Sequence, residues 1–412
     1  MRNLGLDLLR FAAVFLVLGR HLHLPADASP ILETWKRGGW IGVDLFFVLS
    51  GFLVSSLLFK EYLRAGSIDV SRFLIRRGFK IYPAFWCMLT FTLTIQNLQS
   101  TPPQRSALLG ELLFLQNYLG EIWPHTWSLA VEEHFYLGIA LLFTVVLAIW
   151  KKTSFAWIPL AFVVIALACW AARFATFALY PVFSHQTHAA GTHLRVDALF
   201  FGVLISYLYH FHDLERRMSR LPTGLLVGVG TALMIPAFYL TLGESRWLSV
   251  YGVIMCYLGS GAILLSALRL PSSENATLRI LAGLGAASYS IYLWHLPVGE
   301  WGFTFLARVT GWDNFAVYFV NYLVGSLLVG WLFSHAIEYP TLQLRNYLFP
   351  AVPRAERSTA SERLPAQLSA GQTADTRESV SPKTGSRMPI APVGFGEMAQ
   401  WTGSGNNQSS TG

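Results

Sequence analysis

Apolar stretches of about twenty residues recur through the first 345 positions, separated by short polar loops. Each is long enough to cross a hydrocarbon core of about 30 Å as a helix. Ten such spans fall near 6–24, 39–59, 79–97, 129–150, 155–179, 195–210, 222–241, 248–268, 280–300 and 315–338. The run at 195–210 is short, and 107–119 is an extra apolar stretch that reads as re-entrant or interfacial. The pattern predicts an all-α fold, a polytopic transmembrane helical protein with about ten spans. From about Ala351 onward Ser, Thr, Pro, Gly, Arg and Glu replace the apolar residues. Residues 1–345 are therefore expected to form the transmembrane domain and 346–412 a disordered cytoplasmic tail.

Composition agrees. The chain has 412 residues, 53% of them hydrophobic and only 13% charged, where a soluble domain carries about 25% charged residues. A net charge of +7 could suggest nucleic acid, but the basic residues sit in short loops between apolar runs, which membrane topology explains better. With the N-terminus inside, the inner loops hold fifteen Lys and Arg residues, including Arg2, Arg64, Arg72, Arg76, Arg77, Lys80, Lys151, Lys152 and Arg345. The outer loops hold five: Lys36, Arg37, Arg105, Arg246 and Arg308. Both termini are expected in the cytoplasm and the protein in the cytoplasmic membrane, in contact with lipid. Arg2, the first apolar run and Ala26-Asp27-Ala28 superficially match a cleaved secretory signal, but Asp7 and Arg10 precede the apolar core. Cys87, Cys169 and Cys256 each lie in an apolar stretch without a CxxC pair and read as small hydrophobes.

Polar residues inside apolar spans are costly and mark function by default. Arg10 and His21 are eleven residues apart in the first span, which puts them on nearly one helix face about 16 Å apart in depth. They read as the lining of a polar passage. The topology sorts the other intramembrane polar groups into two layers. Near the outer ends lie His21, Asp44, Glu132, Glu133, His134, Arg195, Asp197 and His295; near the inner surface lie Arg76, Arg77 and Lys80. An imidazole with carboxylates nearby suits general-base catalysis. The basic cluster suits an anionic, phosphate-bearing ligand.

In His125-Thr-Trp-Ser-Leu-Ala-Val-Glu-Glu-His-Phe-Tyr136, Ser128, Glu132 and Tyr136 share one helix face while Glu133 points about 100° away. The alternative for the two acids is a simple complement to the helix dipole. His295, between aromatic residues, is either a packing residue or a second polar contact for acceptor or base. His185, His188 and His193 faintly suggest metal ligands but lack a Cys pair or an HExxH helix, so no metal is expected. The glycines of Gly38-Gly-Trp-Ile-Gly42 and Ser50-Gly51 run straight into a span without Gly-Lys-Ser/Thr. They read as close-packing positions rather than a phosphate loop. Intramembrane His, Asp and Glu would equally suit a proton-coupled transporter or flippase for a sugar or lipid-linked glycan, or a glycan sensor.

Taken in order, several segments resemble acyltransferase family 3 over about residues 1–345. They are Arg10-x10-His21, Gly42-Val-Asp44-Leu-Phe-Phe-Val-Leu-Ser-Gly-Phe52, Arg77-Gly-Phe-Lys80-Ile-Tyr-Pro83, Trp127-Ser-Leu-Ala-Val-Glu132-Glu-His-Phe-Tyr136, Arg195-Val-Asp197-Ala-Leu-Phe-Phe-Gly202, Tyr289-Ser-Ile-Tyr-Leu-Trp-His295 and Glu338-Tyr-Pro340. The resemblance implies transfer of an acyl group, commonly acetyl, from cytoplasmic acyl-CoA to a hydroxyl of an extracytoplasmic glycan or glycolipid. Acyl-CoA is then a substrate, with no tightly bound cofactor, and the acceptor is a surface polysaccharide, lipo-oligosaccharide or similar carbohydrate. It makes His21 the catalytic base with Arg10 as its motif partner, and places Ser128 and Glu132 in the Ser-Leu-x-x-Glu motif. Arg77 and Lys80 take the acyl-CoA-binding positions, with Lys80 departing from the usual Arg. In the mechanism this suggests, Glu132 or Asp44 steadies His21, and Arg76, Arg77 and Lys80 bind acyl-CoA. Glu133, Tyr136, Arg195, Asp197 and His295 contact or support the acceptor. No appended hydrolase-like domain is expected after the membrane part.

Overall fold

The computed structural model describes residues 3–150 and 154–350. The expected tail lies outside these residues from 351 onward, as do Arg2, Lys151 and Lys152 of the charge count. Among the described residues there are only helices and the segments joining them. The helices of the first half are α1 (Leu4–Arg20), α2 (Pro30–Gly38), α3 (Ile41–Ala65), α4 (Val70–Leu98), α5 (Arg105–Leu113), α6 (Gln116–Leu119), α7 (Trp127–Ile149), α8 (Ile158–Leu179), α9 (His185–His188) and α10 (Val196–Phe211). Then come α11 (Leu214–Met218), α12 (Thr223–Met234), α13 (Pro236–Tyr239), α14 (Val253–Ala267), α15 (Ala276–Ala286), α16 (Ser288–Pro297), α17 (Phe303–Thr310), α18 (Phe315–Val320), α19 (Ser326–Phe333) and α20 (Tyr339–Leu348).

Local chemistry sets several boundaries. Asn3 caps α1 by accepting from the Leu6 N–H at 3.1 Å, and Asp69 caps α4 by accepting from Arg72 at 2.9 Å. Gly66, at φ +68, ends α3 in the left-handed region. Pro297 lacks an N–H, and the helix after it widens into a π-turn at Val298–Gly302. The Asn321 amide donates to the Val298 carbonyl there at 3.1 Å.

Five helical segments are long and apolar enough to cross a membrane by length and composition: Pro30–Ala65, Trp127–Ile149, Ile158–Leu179, Leu248–Ala267 and Phe315–Leu348. The other five expected spans do not meet both criteria. α1 has 17 residues, α10 has 16, and Thr223–Tyr239 is apolar but short. α4 is long but mixes Arg72, Arg76, Arg77 and Lys80 with Thr, Gln and Asn. The run expected at 280–300 breaks between α15 and α16 at Ala287. The extra stretch at 107–119 becomes α5 and α6, turned at Phe114 with φ 54, and neither piece is long enough to cross. The Glu111 carboxylate accepts from Thr126 Oγ1 at 2.7 Å and from Ile122 N at 3.0 Å, which pins the strap leading into α7.

Glycine decides how closely the central helices approach. A Cβ on Gly51 of α3 would lie 1.9 Å from the Leu199 carbonyl oxygen of α10, and one on Gly202 would lie 2.2 Å from the Val48 oxygen. Two backbones in contact leave no flexible side chain to yield. The Ser56 and Ser206 hydroxyls bond across the same pair of helices at 2.9 Å. The α8 face bearing Leu160, Val164, Leu167 and Phe174 is exposed, so it needs an apolar solvent. Gly51→Val should force α3 from α10 and cost about 2 kcal/mol or more. The expected result in detergent is a markedly lower melting temperature and a reduced monodisperse yield, whereas Gly138→Ala, which meets no atom within 4 Å, should leave both unchanged.

Candidate active site

α1 ends at Arg20, and His21 is its C-cap, half-buried rather than sealed. Two further imidazoles surround it. The His295 ring centroid is 5.1 Å from that of His21, His125 is 4.8 Å from His295, and His21 and His125 are 6.5 Å apart. His295 is fully buried; its Nδ1 donates to the Tyr292 carbonyl at 2.6 Å, and its Nε2 meets no partner. The carbonyl fixes the tautomer and leaves Nε2 as a base. Both ring nitrogens of buried His125 are also without a partner. Buried polar atoms are normally satisfied, so the unpartnered nitrogens of His125 and His295, clustered with His21, mark a candidate site for proton transfer. The half-buried His185 packs on Trp127 at 5.4 Å in the neighbouring loop. Burial, and then the cations Arg20 and Arg195, push its imidazole down to about 4.

α7 carries polarity inward from this cluster. The Ser128 hydroxyl meets the Tyr292 hydroxyl at 2.6 Å, and Tyr292 donates to the His125 carbonyl at 2.6 Å. One turn on, Glu132 accepts from Ser50 at 2.8 Å through one oxygen and from Tyr136 at 2.8 Å through the other. The Arg77 guanidinium then lies over the Tyr136 ring, 5.1 Å from its centroid. Ser128, Glu132 and Tyr136 thus share the face expected of them, over about 12 Å of helix. Glu133 points elsewhere and is buried, accepting from Tyr82 on α4 at 3.1 Å. His134 turns to Thr192 Oγ1 at 2.7 Å.

This arrangement corrects the two-layer picture. Glu132 and Glu133 do not sit beside His21; they face Ser50, Tyr136 and Tyr82, and Glu132 joins the imidazole cluster to the cations. The expected support of His21 by Glu132 or Asp44 is not formed; its ring neighbours are His295 and His125. Arg10 pairs with Asp7 one turn back on α1.

At the cationic end, Arg76 donates to the Phe349 carbonyl and, at 3.3 Å, to Asn346. Arg345 donates to the same Asn346 oxygen at 2.9 Å, which brings a third guanidinium to the cluster. Lys80 is committed differently from expectation: it pairs at 2.9 Å with buried Glu338, which also accepts from the Ser290 N–H at 3.2 Å. Arg76, Arg77 and Arg345 thus bring three guanidiniums to this end, while Lys80 is paired.

Asp44, expected as a catalytic residue, and Arg195 and Asp197, expected to contact or support the acceptor, are in buried ion pairs. Asp44 pairs with Arg195 at 2.8 Å, and Asp197 with Arg173 at 2.8 Å. All four side chains are almost completely buried. Arg173 also donates to the Leu194 carbonyl at 2.7 Å. These pairs tie α3, α8 and α10 together, and the Arg195 guanidinium lies among Trp40, Phe47 and Trp127 at 5.7 to 5.9 Å. His188 of the three loop histidines bonds Tyr180 O at 2.9 Å, and His193 meets the Tyr118 hydroxyl at 3.1 Å. No group of three or more such ligands among the described residues could hold a metal ion. His125, Ser50, Arg173 and Arg345 escaped the sequence reading as site residues. The only hint for His125 was its place in the motif that also contains Ser128 and Glu132.

Fold and site together describe an all-helical membrane protein with a polar interior column, imidazoles at one end and guanidiniums at the other. Residues 3–335 match acyltransferase family 3, described as an acyltransferase domain, and the chain belongs to that family. The O-acetyltransferase OatA of Staphylococcus aureus (strain NCTC 8325 / PS 47) is 28% identical over 317 residues, 71% of this chain and 50% of the relative. A second S. aureus protein (strain COL), provisionally named an O-acetyltransferase, is 28% identical over 342 residues, 77% of this chain and 54% of the relative. The chain therefore spans about half the length of these relatives. No solved structure matches it.

Removing one partner of a buried ion pair strands the other charge, at about 3–5 kcal/mol. Arg173→Ala and Arg195→Ala should each lower the melting temperature sharply. Asp44→Asn combined with Arg195→Gln should recover a measurable part of the loss; a double variant no better than Arg195→Ala would show that the pair does not hold these helices.

Proposed function

We propose that the protein is a membrane O-acyltransferase that moves an acyl group, commonly acetyl, from acyl-CoA to a hydroxyl of an extracytoplasmic glycan or glycolipid. The observation that carries the reading is the row of polar groups on α7: Arg77 lies over Tyr136, Tyr136 donates to Glu132, and one turn before it Ser128 meets the Tyr292 hydroxyl beside the His21–His125–His295 cluster. Family membership and the O-acetyltransferase names of the relatives support it. The ten-span topology, with both termini in the cytoplasm and the cationic end inward, belongs to the same proposal. It rests on the Lys and Arg bias between loops.

In this scheme the acyl-CoA phosphates dock on Arg76, Arg77 and Arg345, where planar guanidiniums suit phosphate oxygens. The thioester arm extends past Tyr136, Glu132 and Ser50. His21 takes the proton from the acceptor hydroxyl as its oxygen attacks the thioester carbonyl. A C–O ester bond forms, the C–S bond breaks, and the imidazolium returns the proton to the departing CoA thiolate. His295, held by the Tyr292 carbonyl, presents Nε2 to the same proton.

The test is mass spectrometry of surface glycans from cells with and without the protein, paired with acetyl-CoA-dependent labelling of glycan in their membranes. Labelling and glycan acetylation should both appear only with the protein. His21→Ala at equal protein level should reduce transfer by about 100-fold or more, and transfer that survives it would overturn the scheme. Arg76→Ala should raise KM for acetyl-CoA by about tenfold with a smaller effect on kcat.

A further inference from the structure

We propose that the cleft beside His23 holds a neutral or amino sugar ring of the acceptor; this rests on the acyl-transfer reading above. The cleft is an open surface groove of about 380 Å³ between the π-turn at Val298–Gly302, α17 and the start of α18. Small-molecule sites run from about 300 Å³ upward. Its walls are chemically divided. Phe303 and Phe315 give an aromatic surface backed by buried Tyr318, which is edge-on to Phe303 at 5.4 Å, tilted against Phe315 at 6.2 Å and stacked on both His23 and Tyr322 at 5.8 Å. Glu300 and Asp313 give two exposed carboxylates, and no Lys or Arg lines the cleft.

A pyranose has the matching character. Its C–H face stacks on an aromatic ring, while neighbouring hydroxyls donate to a carboxylate with two acceptor oxygens. Two carboxylates facing a single imidazole, with no Lys or Arg beside them, disfavour phosphate and uronate. The cleft therefore does not suit the nucleotide end of acyl-CoA and does suit an uncharged or cationic sugar.

The cleft is also tied to the imidazole cluster. His23, which lines it, follows His21 by two positions, and its N–H donates to the Tyr318 hydroxyl at 3.1 Å. Tyr318 stacks on Tyr322 at 5.8 Å, and the Tyr322 ring lies 6.3 Å from His295. Tyr322 is anchored in turn by donating to the Leu18 carbonyl at 2.9 Å. His21 itself does not line the cleft, so the reacting hydroxyl belongs to the next ring of the acceptor, and Tyr318, through Tyr322, fixes the cleft relative to the end of α1.

The experiment uses the full chain in lipid nanodiscs. Oligosaccharides released from the envelope of the cells that make the protein are divided by ion exchange into neutral, amino and acidic pools. Binding is read by saturation-transfer NMR, and transfer is read with labelled acetyl-CoA. The neutral or amino pool should bind and accept acetyl. Glu300→Gln combined with Asp313→Asn, and separately Phe315→Ala, should raise the acceptor KM by about tenfold or more and weaken the NMR signal. The KM for acetyl-CoA should stay within about twofold, which also shows that the variants are folded. Unchanged acceptor KM in these variants, or binding of the acidic pool alone, overturns the cleft assignment while leaving acyl transfer standing. Absence of transfer to every pool by the unmodified protein overturns the acyl-transfer reading and this proposal with it.

Discussion

A charged or polar side chain inside a bundle of apolar helices must find a partner or line a space that admits water or ligand. That constraint separates two groups of buried polar residues among those described. Asp44 with Arg195, Asp197 with Arg173, and Lys80 with Glu338 take the first solution. His295 Nε2 and both nitrogens of His125 do not. The first group holds helices in place, and the second marks where chemistry is to be sought.

The glycine contacts and the ion pairs act on the same helices. Gly51 against Leu199 brings α3 and α10 together, and Asp44 reaches Arg195 at the head of α10. α3 so placed delivers Ser50 to Glu132. Glu132 is consequently a joint between helices as well as part of the polar face of α7, its two oxygens satisfied by hydroxyls in the second turn of the helix. The proposed acyl path uses a surface that the packing had already made polar.

Much of the fold was legible. Helix-length apolar runs located α7, α8, α10 and α14 within a few residues, because a membrane helix writes its length directly into hydropathy. The break at Ala287 and the shortness of α1 were hidden, since an apolar run does not say where the backbone turns. In the site, helical spacing correctly put Ser128, Glu132 and Tyr136 on one face. Partners between helices were not legible: nothing in the spacing of Arg173 and Asp197, or of Lys80 and Glu338, announces an ion pair. The pairing of Asp44 with Arg195 was hidden in the same way. His125 was overlooked because it precedes the apolar run of α7 and so carries no intramembrane penalty to betray it.

The proposed acyl path requires one polar face to connect a cluster of guanidiniums to a cluster of imidazoles. The most direct measurement is a cryo-EM structure of the protein with a non-hydrolysable acetyl-CoA analogue. Density is expected for the nucleotide phosphates at Arg76, Arg77 and Arg345, and for an arm running past Tyr136 and Glu132 to end beside His21. An analogue bound elsewhere, or one whose arm cannot enter between α3 and α7, would contradict that path.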